Sequence, residues 1–149
     1  MKKLVIQLIL FLFCGFLHAQ QAFTNYGNLQ IHTGTSMAGF GNFSNETAAT
    51  LVNNGSFYIR GNLTNDQSSM SVGAGTLYLN GSVAQSVNGT QPFRTLNFVT
   101  DNNLGITLNN TLSVSGAHTY TNGIITTSST PDYLVYEAGS SYSGESNSS

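Results

Sequence analysis

Hydrophobic and polar residues alternate along the chain in short runs, and glycine or asparagine separates one run from the next. Apolar alternation with a period of two, bounded by turn residues, indicates half-buried β-strands. Beyond the N-terminal segment no stretch shows a helical period, so the pattern predicts an all-β fold. The runs are Leu29–Ile31, Phe57–Ile59, Leu77–Leu79, Leu96–Phe98, Ile106–Leu108, Leu112–Val114, Ile124–Ile125 and Leu134–Tyr136.

Two of these runs lie in stretches of matching pattern, GSFYIRGNL at 55–63 and GTLYLNGSV at 75–83, in which glycine, tyrosine and apolar residues fall at the same places. An interval of about 20 residues, such as the one between them, is the length of one coil of a β-solenoid, in which equivalent residues stack in columns. The spacing therefore predicts a parallel β-helix-like stack of such coils. The predicted interior columns are Phe57, Leu77, Leu96 and Ile59, Leu79, Phe98.

The polar positions of the repeat fit the same arrangement. Tyr58 and Tyr78 are expected to point outward, one above the other, and stacked asparagines can form amide ladders at a corner. Gly61 and Gly81 are expected at the corners with positive φ, which glycine adopts without steric cost. Asn-Gly pairs, as at 54–55 and 80–81, also favour hairpins, so a β-sandwich stays the alternative fold.

The segment 1–19 has the layout of a secretory signal peptide, a helix that precedes the β fold. Two lysines follow the initial methionine, an apolar run extends from Leu4 to Leu17, and Ala19 offers a small residue for cleavage. We expect a β-solenoid domain over 20–138 and a polar tail or the start of a linker over 139–149. The segment 23–50 fits the period less well and is predicted to be a looser, aromatic cap.

Charge and cysteine content exclude several classes of function. The only cysteine, Cys14, lies in the predicted signal, so the remaining chain has neither disulfides nor thiolate ligands. Residues 20–149 carry two arginines against six carboxylates, a net charge of −4. Nucleic-acid binding needs clustered lysine and arginine, so it is not expected, and neither is a transmembrane span after cleavage of the signal.

The rhythm of the chain resembles that of a known class of proteins. GTLYLNGSVAQSVNGT (75–90), FRTLNFVTDNNLGITLNNTLSVSG (93–116) and TNGIITTSSTPDYLVYEAGSSYSG (121–144) look like the repetitive secreted, adhesin-like surface proteins of Bacteroidota. This resemblance implies cargo of the type IX secretion system, located outside the cell or on the outer cell surface. Such proteins usually continue into further β modules and a C-terminal sorting domain, so the chain is expected to be an N-terminal fragment.

Catalytic chemistry finds little support in the sequence. The candidate acids are Asp66, Asp101, Asp132 and Glu137. Asp66 and Asp101 lie in turn contexts, where aspartate usually bonds backbone groups, and their separation is not a multiple of the coil length. A calcium loop at 101–103 would offer too few carboxylates.

The histidines do not suggest a metal site either. His32 and His118 are interpreted as surface imidazoles, because zinc needs three or four ligands and neither has a companion nearby. No catalytic, metal-binding or cofactor-binding residue is therefore predicted.

One group of residues suggests binding. Arg60 lies outward beside Tyr58, next to the coil of Tyr78, and arginine with stacked tyrosines suits contact with a sugar or an anionic polymer. The simpler alternative is that the tyrosines merely shield the sheet. The sequence thus predicts a non-enzymatic, structural or adhesive β-repeat module whose partners are polysaccharide or another surface protein. The alternative is a carbohydrate-binding domain or a fragment of a polysaccharide-active enzyme.

Overall fold

The computed structural model describes residues 22–127 and 133–146, which form a stack of short parallel strands and contain no helix. The predicted signal peptide at 1–19 and Asp132 lie outside the described residues. None of the described segments is a helix able to cross a bilayer. The strands are β1 Phe23–Asn25, β2 Asn28–Ile31, β3 Ser36–Gly39, β4 Phe43–Asn45, β5 Thr50–Asn53, β6 Ser56–Ile59, β7 Leu63–Asn65, β8 Thr76–Leu79, β9 Gln85–Asn88, β10 Phe93–Thr95, β11 Asn97–Asp101, β12 Ile106–Leu108, β13 Leu112–Val114, β14 Ala117–Asn122, β15 Ile125–Thr127, β16 Leu134–Tyr136 and β17 Ser141–Ser143.

The strands form three faces that run along the stack. Face A has the order β1-β4-β7-β9-β12-β15, and face C has the order β17-β14-β11-β8-β6-β3. Face B consists of β2-β5 and of β10-β13-β16. All of these pairs are parallel and none joins two consecutive strands. The β-solenoid prediction is confirmed, and the sandwich is wrong because hairpins would pair consecutive strands antiparallel.

The interior of face C contains two columns, which differ in part from the prediction. Leu77 lies over Phe57 and Leu79 over Ile59, as expected. In the next coil, however, Phe98 continues the Phe57 column and Thr100 the Ile59 column. The placement of Leu96 in a column is therefore wrong, because Leu96 lies in the turn before β11 and its carbonyl accepts a hydrogen bond from the Gly116 amide.

The Phe57 column continues into a residue that was predicted to lie on the surface. Phe98 pairs with His118, and His118 with Tyr142. The His118 side chain is 0% exposed, so its interpretation as a surface imidazole is wrong. His32, in contrast, is exposed as predicted.

The first coil is regular rather than a loose cap. Phe23 of β1 lies over Phe43 of β4 in the next coil, with ring centroids 5.6 Å apart. Phe43 is fully buried and pairs in turn with Leu63. The prediction failed here because the strands FTN and FSN hold a single apolar residue each and show no alternation. At the other end β17 lies inside 139–149, the segment predicted to be a tail or linker.

An asparagine ladder fills the corner where face A ends. The Asn25 amide donates to Asn45 Oδ1 at 2.9 Å, and the Asn45 amide donates to Asn65 Oδ1 at 2.8 Å. Asn65 Nδ2 then donates to the Pro92 carbonyl at 2.9 Å. All three side chains are buried, so the ladder satisfies polar groups that would otherwise destabilise the core.

The glycines of the repeat have a different role from the predicted one. Positive φ occurs at other glycines, not at Gly61 or Gly81. A Cβ added to Gly61 would lie 2.4 Å from the carbonyl carbon of Gly41, and one added to Gly81 would lie 2.5 Å from the Arg60 carbonyl oxygen. Close approach to the backbone of the preceding coil, rather than a left-handed conformation, therefore requires glycine at both positions.

Candidate functional site

Tyr58 and Tyr78 project from the outer surface of face C as a stacked pair. They are direct partners across β6 and β8, and their rings lie 4.3 Å apart with an interplanar angle of 15°. This separation is close to the ~4.8 Å distance between neighbouring strands, so the ring normals run roughly along the solenoid axis. Each tyrosine therefore turns its second ring face toward the next residue of the same outward column.

The two outer ring faces have different neighbours. Tyr78 is followed in the column by Val99, whereas Tyr58 is preceded by Ala38 on β3, the edge strand of face C. Ala38 is exposed and carries only a methyl group. The ring face of Tyr58 that points away from Tyr78 is thus the more accessible one.

Arg60 lies directly after β6, at the corner between face C and face A. Its Cζ atom is 4.9 Å from the centroid of the Phe40 ring, a cation–π distance. Phe40 is itself 63% exposed. The sequence pattern placed Arg60 beside the tyrosines but gave no sign of Phe40, which stands at the equivalent position of the first coil.

These side chains form a two-by-two arrangement that we call the aromatic–arginine patch. Ala38 and Phe40 belong to the first coil, and Tyr58 and Arg60 belong to the second. Tyr58 lies over Ala38, and Arg60 lies over Phe40. The patch combines a flat ring, a small floor and a cation held at a fixed place.

The second arginine is in a different electrostatic environment. Arg94 Nη2 lies 2.9 Å from Glu137 Oε1, and the Ser113 hydroxyl donates to the same oxygen at 2.6 Å. The hydrogen bond from Ser113 and then that from Arg94 lower the pKa of the Glu137 carboxyl. Glu137 thus joins strands of face B, and Arg60 is the only arginine without a carboxylate partner among residues 22–127 and 133–146.

The other candidate acids of the described chain also have structural partners. Asp66 Oδ1 accepts hydrogen bonds from the amide and the hydroxyl of Thr90, each at 2.8 Å. Asp101 accepts one from the Asn122 amide at 2.7 Å. Asn102, considered with Asp101 as a calcium loop, is buried and donates to the Val83 carbonyl at 2.7 Å. Within the described ranges no three His, Cys, Asp or Glu side chains cluster as metal ligands.

His118 is the centre of a buried polar network in the last coils. Its Nε2 atom lies 2.8 Å from Thr100 Oγ1, and its Nδ1 atom lies 2.7 Å from the Tyr136 hydroxyl. Burial lowers the pKa of His118 from 6.5 to about 4 and is the largest cause that raises the pKa of Tyr136. The imidazole is therefore neutral at pH 7, with one ring nitrogen donating and the other accepting.

Four exposed apolar residues form a ridge along the corner between faces C and A, which Arg60 interrupts in the second coil. Its members lie one to three residues before a face A strand and are 55–64% exposed. The sequence pattern does not single them out, because the turns that carry them differ in length. The ridge consists of Phe40, Val83, Leu104 and Ile124.

A cleft of about 470 Å³ opens at the sixth coil, where Ile125, Leu134, Tyr136 and Tyr142 line it. These residues continue interior columns of the three faces, as the register of β15, β16 and β17 shows. We interpret the cleft as the end of the core rather than as a separate site.

Comparison with models of protein families, with curated proteins and with solved structures finds no match for this chain.

Proposed function

We propose that the chain is a non-enzymatic structural and adhesive β-repeat module of a secreted or cell-surface protein. The observation that carries the proposal is the unbroken stack of six coils, which joins a continuous core to a weakly charged outer surface. Five steps of ~4.8 Å give a rod about 24 Å long. The resemblance to Bacteroidota surface proteins of the type IX secretion class supports the same proposal.

The rod is suited to a mechanical or spacing role because faces A and C join all six coils, and face B joins the first two coils and the last three. Each coil contributes backbone ladders, and the buried side chains of Asn45, Asn65 and His118 are hydrogen-bonded inside. Opening one coil would expose both apolar surface and backbone groups, so adjacent coils stabilise one another. A stiff, weakly charged rod can hold attached modules at a fixed distance.

The adhesive part of the proposal rests on the outer surface of face C. Tyr58 and Tyr78 present a flat aromatic surface, and the aromatic–arginine patch extends it around the corner. Aromatic rings bring much contact area at a small cost in conformational entropy, which suits weak and repeated contacts with a polymer. Tyr58, Tyr78 and Arg60 are the proposed glycan contacts.

The second candidate is a carbohydrate-binding domain, or a fragment of a polysaccharide-active enzyme. The open ring face of Tyr58 favours the binding domain. Against an enzyme, glycoside hydrolysis uses two carboxyl groups within about 5–10 Å. Asp66, Asp101 and Glu137 lie at the ends of strands on face A, face C and face B respectively, and each accepts hydrogen bonds from the chain. Glu46 holds the position equivalent to Asp66 in the preceding coil of face A, and it accepts a hydrogen bond from the Ser44 hydroxyl at 2.9 Å. Both carboxyl groups of this neighbouring pair are therefore engaged by side chains of the solenoid itself.

The proposal is tested with residues 20–149 on a glycan array, together with an assay for released reducing sugar. We expect saturable binding that is lost in Tyr58→Ala and Tyr78→Ala, with no sugar released and with unchanged circular dichroism. Binding that neither substitution affects would remove the tyrosine surface from the proposal. Sugar release by the purified chain would contradict the non-enzymatic part.

A further inference from the structure

We propose that the aromatic–arginine patch recognises an acidic pyranose, one that carries a carboxylate or a sulfate within a polysaccharide chain. This inference rests on the proposed adhesive function and names the chemical class of its ligand. It depends on three observations: the accessible ring face of Tyr58, the lack of a carboxylate partner for Arg60 among the described residues, and the net negative charge of residues 20–149.

The Tyr58 ring provides a stacking surface. Its inner face is covered by Tyr78 at 4.3 Å, and its outer face lies over the methyl group of Ala38. The faces of aromatic rings carry negative charge density, which attracts the C–H groups on one face of a pyranose ring. Ala38 carries only a methyl group where Tyr78 has the larger Val99 as its neighbour in the column, so the outer face of Tyr58 has more room for such a ring.

Arg60 provides the selectivity for acidic sugars. The Phe40 ring contacts the guanidinium from one side, with Cζ over the ring at 4.9 Å from its centroid. A planar fork of N–H donors matches the two oxygens of a carboxylate or sulfate. Among the described residues no carboxylate pairs with Arg60, so an external anion does not have to displace one.

The net negative charge of residues 20–149 should confine the binding of an acidic polysaccharide to the aromatic–arginine patch. Residues 20–149 carry a net charge of −4, and Arg94 is neutralised by Glu137 on face B. A polyanion is therefore repelled by the protein as a whole and gains favourable contacts at the patch. Such binding should be weak and should decrease as salt screens the guanidinium.

The inference is tested by affinity electrophoresis of residues 20–149 through gels that contain one polysaccharide each. Polygalacturonate supplies carboxylates, dextran sulfate supplies sulfates, and dextran is the neutral reference. We expect stronger retardation by an acidic polysaccharide than by dextran, and about a tenfold weaker affinity for Arg60→Gln, as expected for the loss of a charge-assisted fork. Arg60→Lys, which keeps the charge but not the fork, should fall between the two.

Matched controls separate the patch from general effects of charge and aromatic content. Tyr26→Ala removes a tyrosine that is 76% exposed at the end of β1, away from face C. Arg94→Gln removes the same charge from face B. Both variants should bind acidic polysaccharide as the unchanged chain does, and circular dichroism should show all variants folded.

The outcomes distinguish this inference from the proposed function. Retardation by polygalacturonate alone, or by dextran sulfate alone, supports the inference and identifies the anion. Equal binding of dextran and the acidic polysaccharides, lost in Tyr58→Ala but not in Arg60→Gln, overturns the inference and leaves the adhesive function intact. No retardation by any polysaccharide overturns both the inference and the adhesive part of the function.

Discussion

Protonation of His118 should destabilise the solenoid in mildly acidic solution. The imidazole is 0% exposed, and its ring centroid lies 4.4 Å from that of Phe98 and 4.0 Å from that of Tyr120. Burial lowers its pKa from 6.5 to about 4, so the unfolded chain binds a proton more readily than the folded one over that interval. The stabilisation is complete above pH 6.5 and is lost progressively as the pH falls toward 4.

The magnitude follows from the two pKa values. Their difference of about 2.5 corresponds to a maximal loss of about 3 kcal/mol, since a pKa difference of one is equivalent to about 1.36 kcal/mol. Between pH 7 and pH 5 the expected decrease in the free energy of unfolding is about 2 kcal/mol, because the folded state is then still largely unprotonated. That change is a large fraction of the stability of a small domain.

Urea denaturation of residues 20–149 at half-unit steps from pH 7 to pH 5 measures this decrease. The control is the double variant Thr100→Val and His118→Phe. The phenylalanine at 118 continues the column from Phe98, and the valine removes the Thr100 hydroxyl, which would otherwise lose its imidazole partner. Its free energy of unfolding should stay level over the same range. A level profile in the unchanged chain, or an equal slope in the double variant, would refute the reasoning. Protonation of Glu137 contributes little to this decrease, because its lowered pKa affects the free energy of unfolding mostly below pH 4.5.

Two further substitutions test the packing of the coils, each by urea denaturation. Asn45→Asp removes both hydrogen bonds that the buried amide donates and should cost about 3 kcal/mol, whereas Asn103→Asp at an exposed position should cost less than about 0.5 kcal/mol. Gly61→Ala places a methyl group 2.4 Å from the backbone of the preceding coil and should cost more than about 2 kcal/mol, whereas Gly27→Ala meets no atom within 4 Å and should be nearly neutral. An equal effect within either pair would contradict the packing described above.

The fold could be predicted from the sequence where the repeat is strict. The stretches 55–63 and 75–83 share their glycine, tyrosine and apolar positions, and the predicted pairing of Phe57 with Leu77 is correct. The interval from Leu77 to Phe98 is one residue longer than that from Phe57 to Leu77, and the expected column slipped to Leu96, two residues too early. Both candidate registers place a hydrophobic residue inside, so apolar alternation alone could not choose between them.

The candidate site was predictable only in part for a related reason. Tyr58 and Tyr78 were found because they occupy the same place in an evident repeat. Phe40 and His118 were missed, although each stands one coil from its neighbour, Arg60 and Phe98 respectively. In both pairs the residue types differ, so the coil period was the only available signal.

The buried ladder and the outer patch are linked through the register of the first two coils. Asn25 and Asn45 bond each other inside the same coils that carry Phe40 and Arg60 outside. Apolar columns tolerate a slip of two residues because one hydrocarbon side chain can replace another. An amide ladder does not, since a slip would leave buried donors and acceptors without partners. The ladder therefore fixes which residue of one coil lies over which residue of the next, and with it the position of the guanidinium over the Phe40 ring.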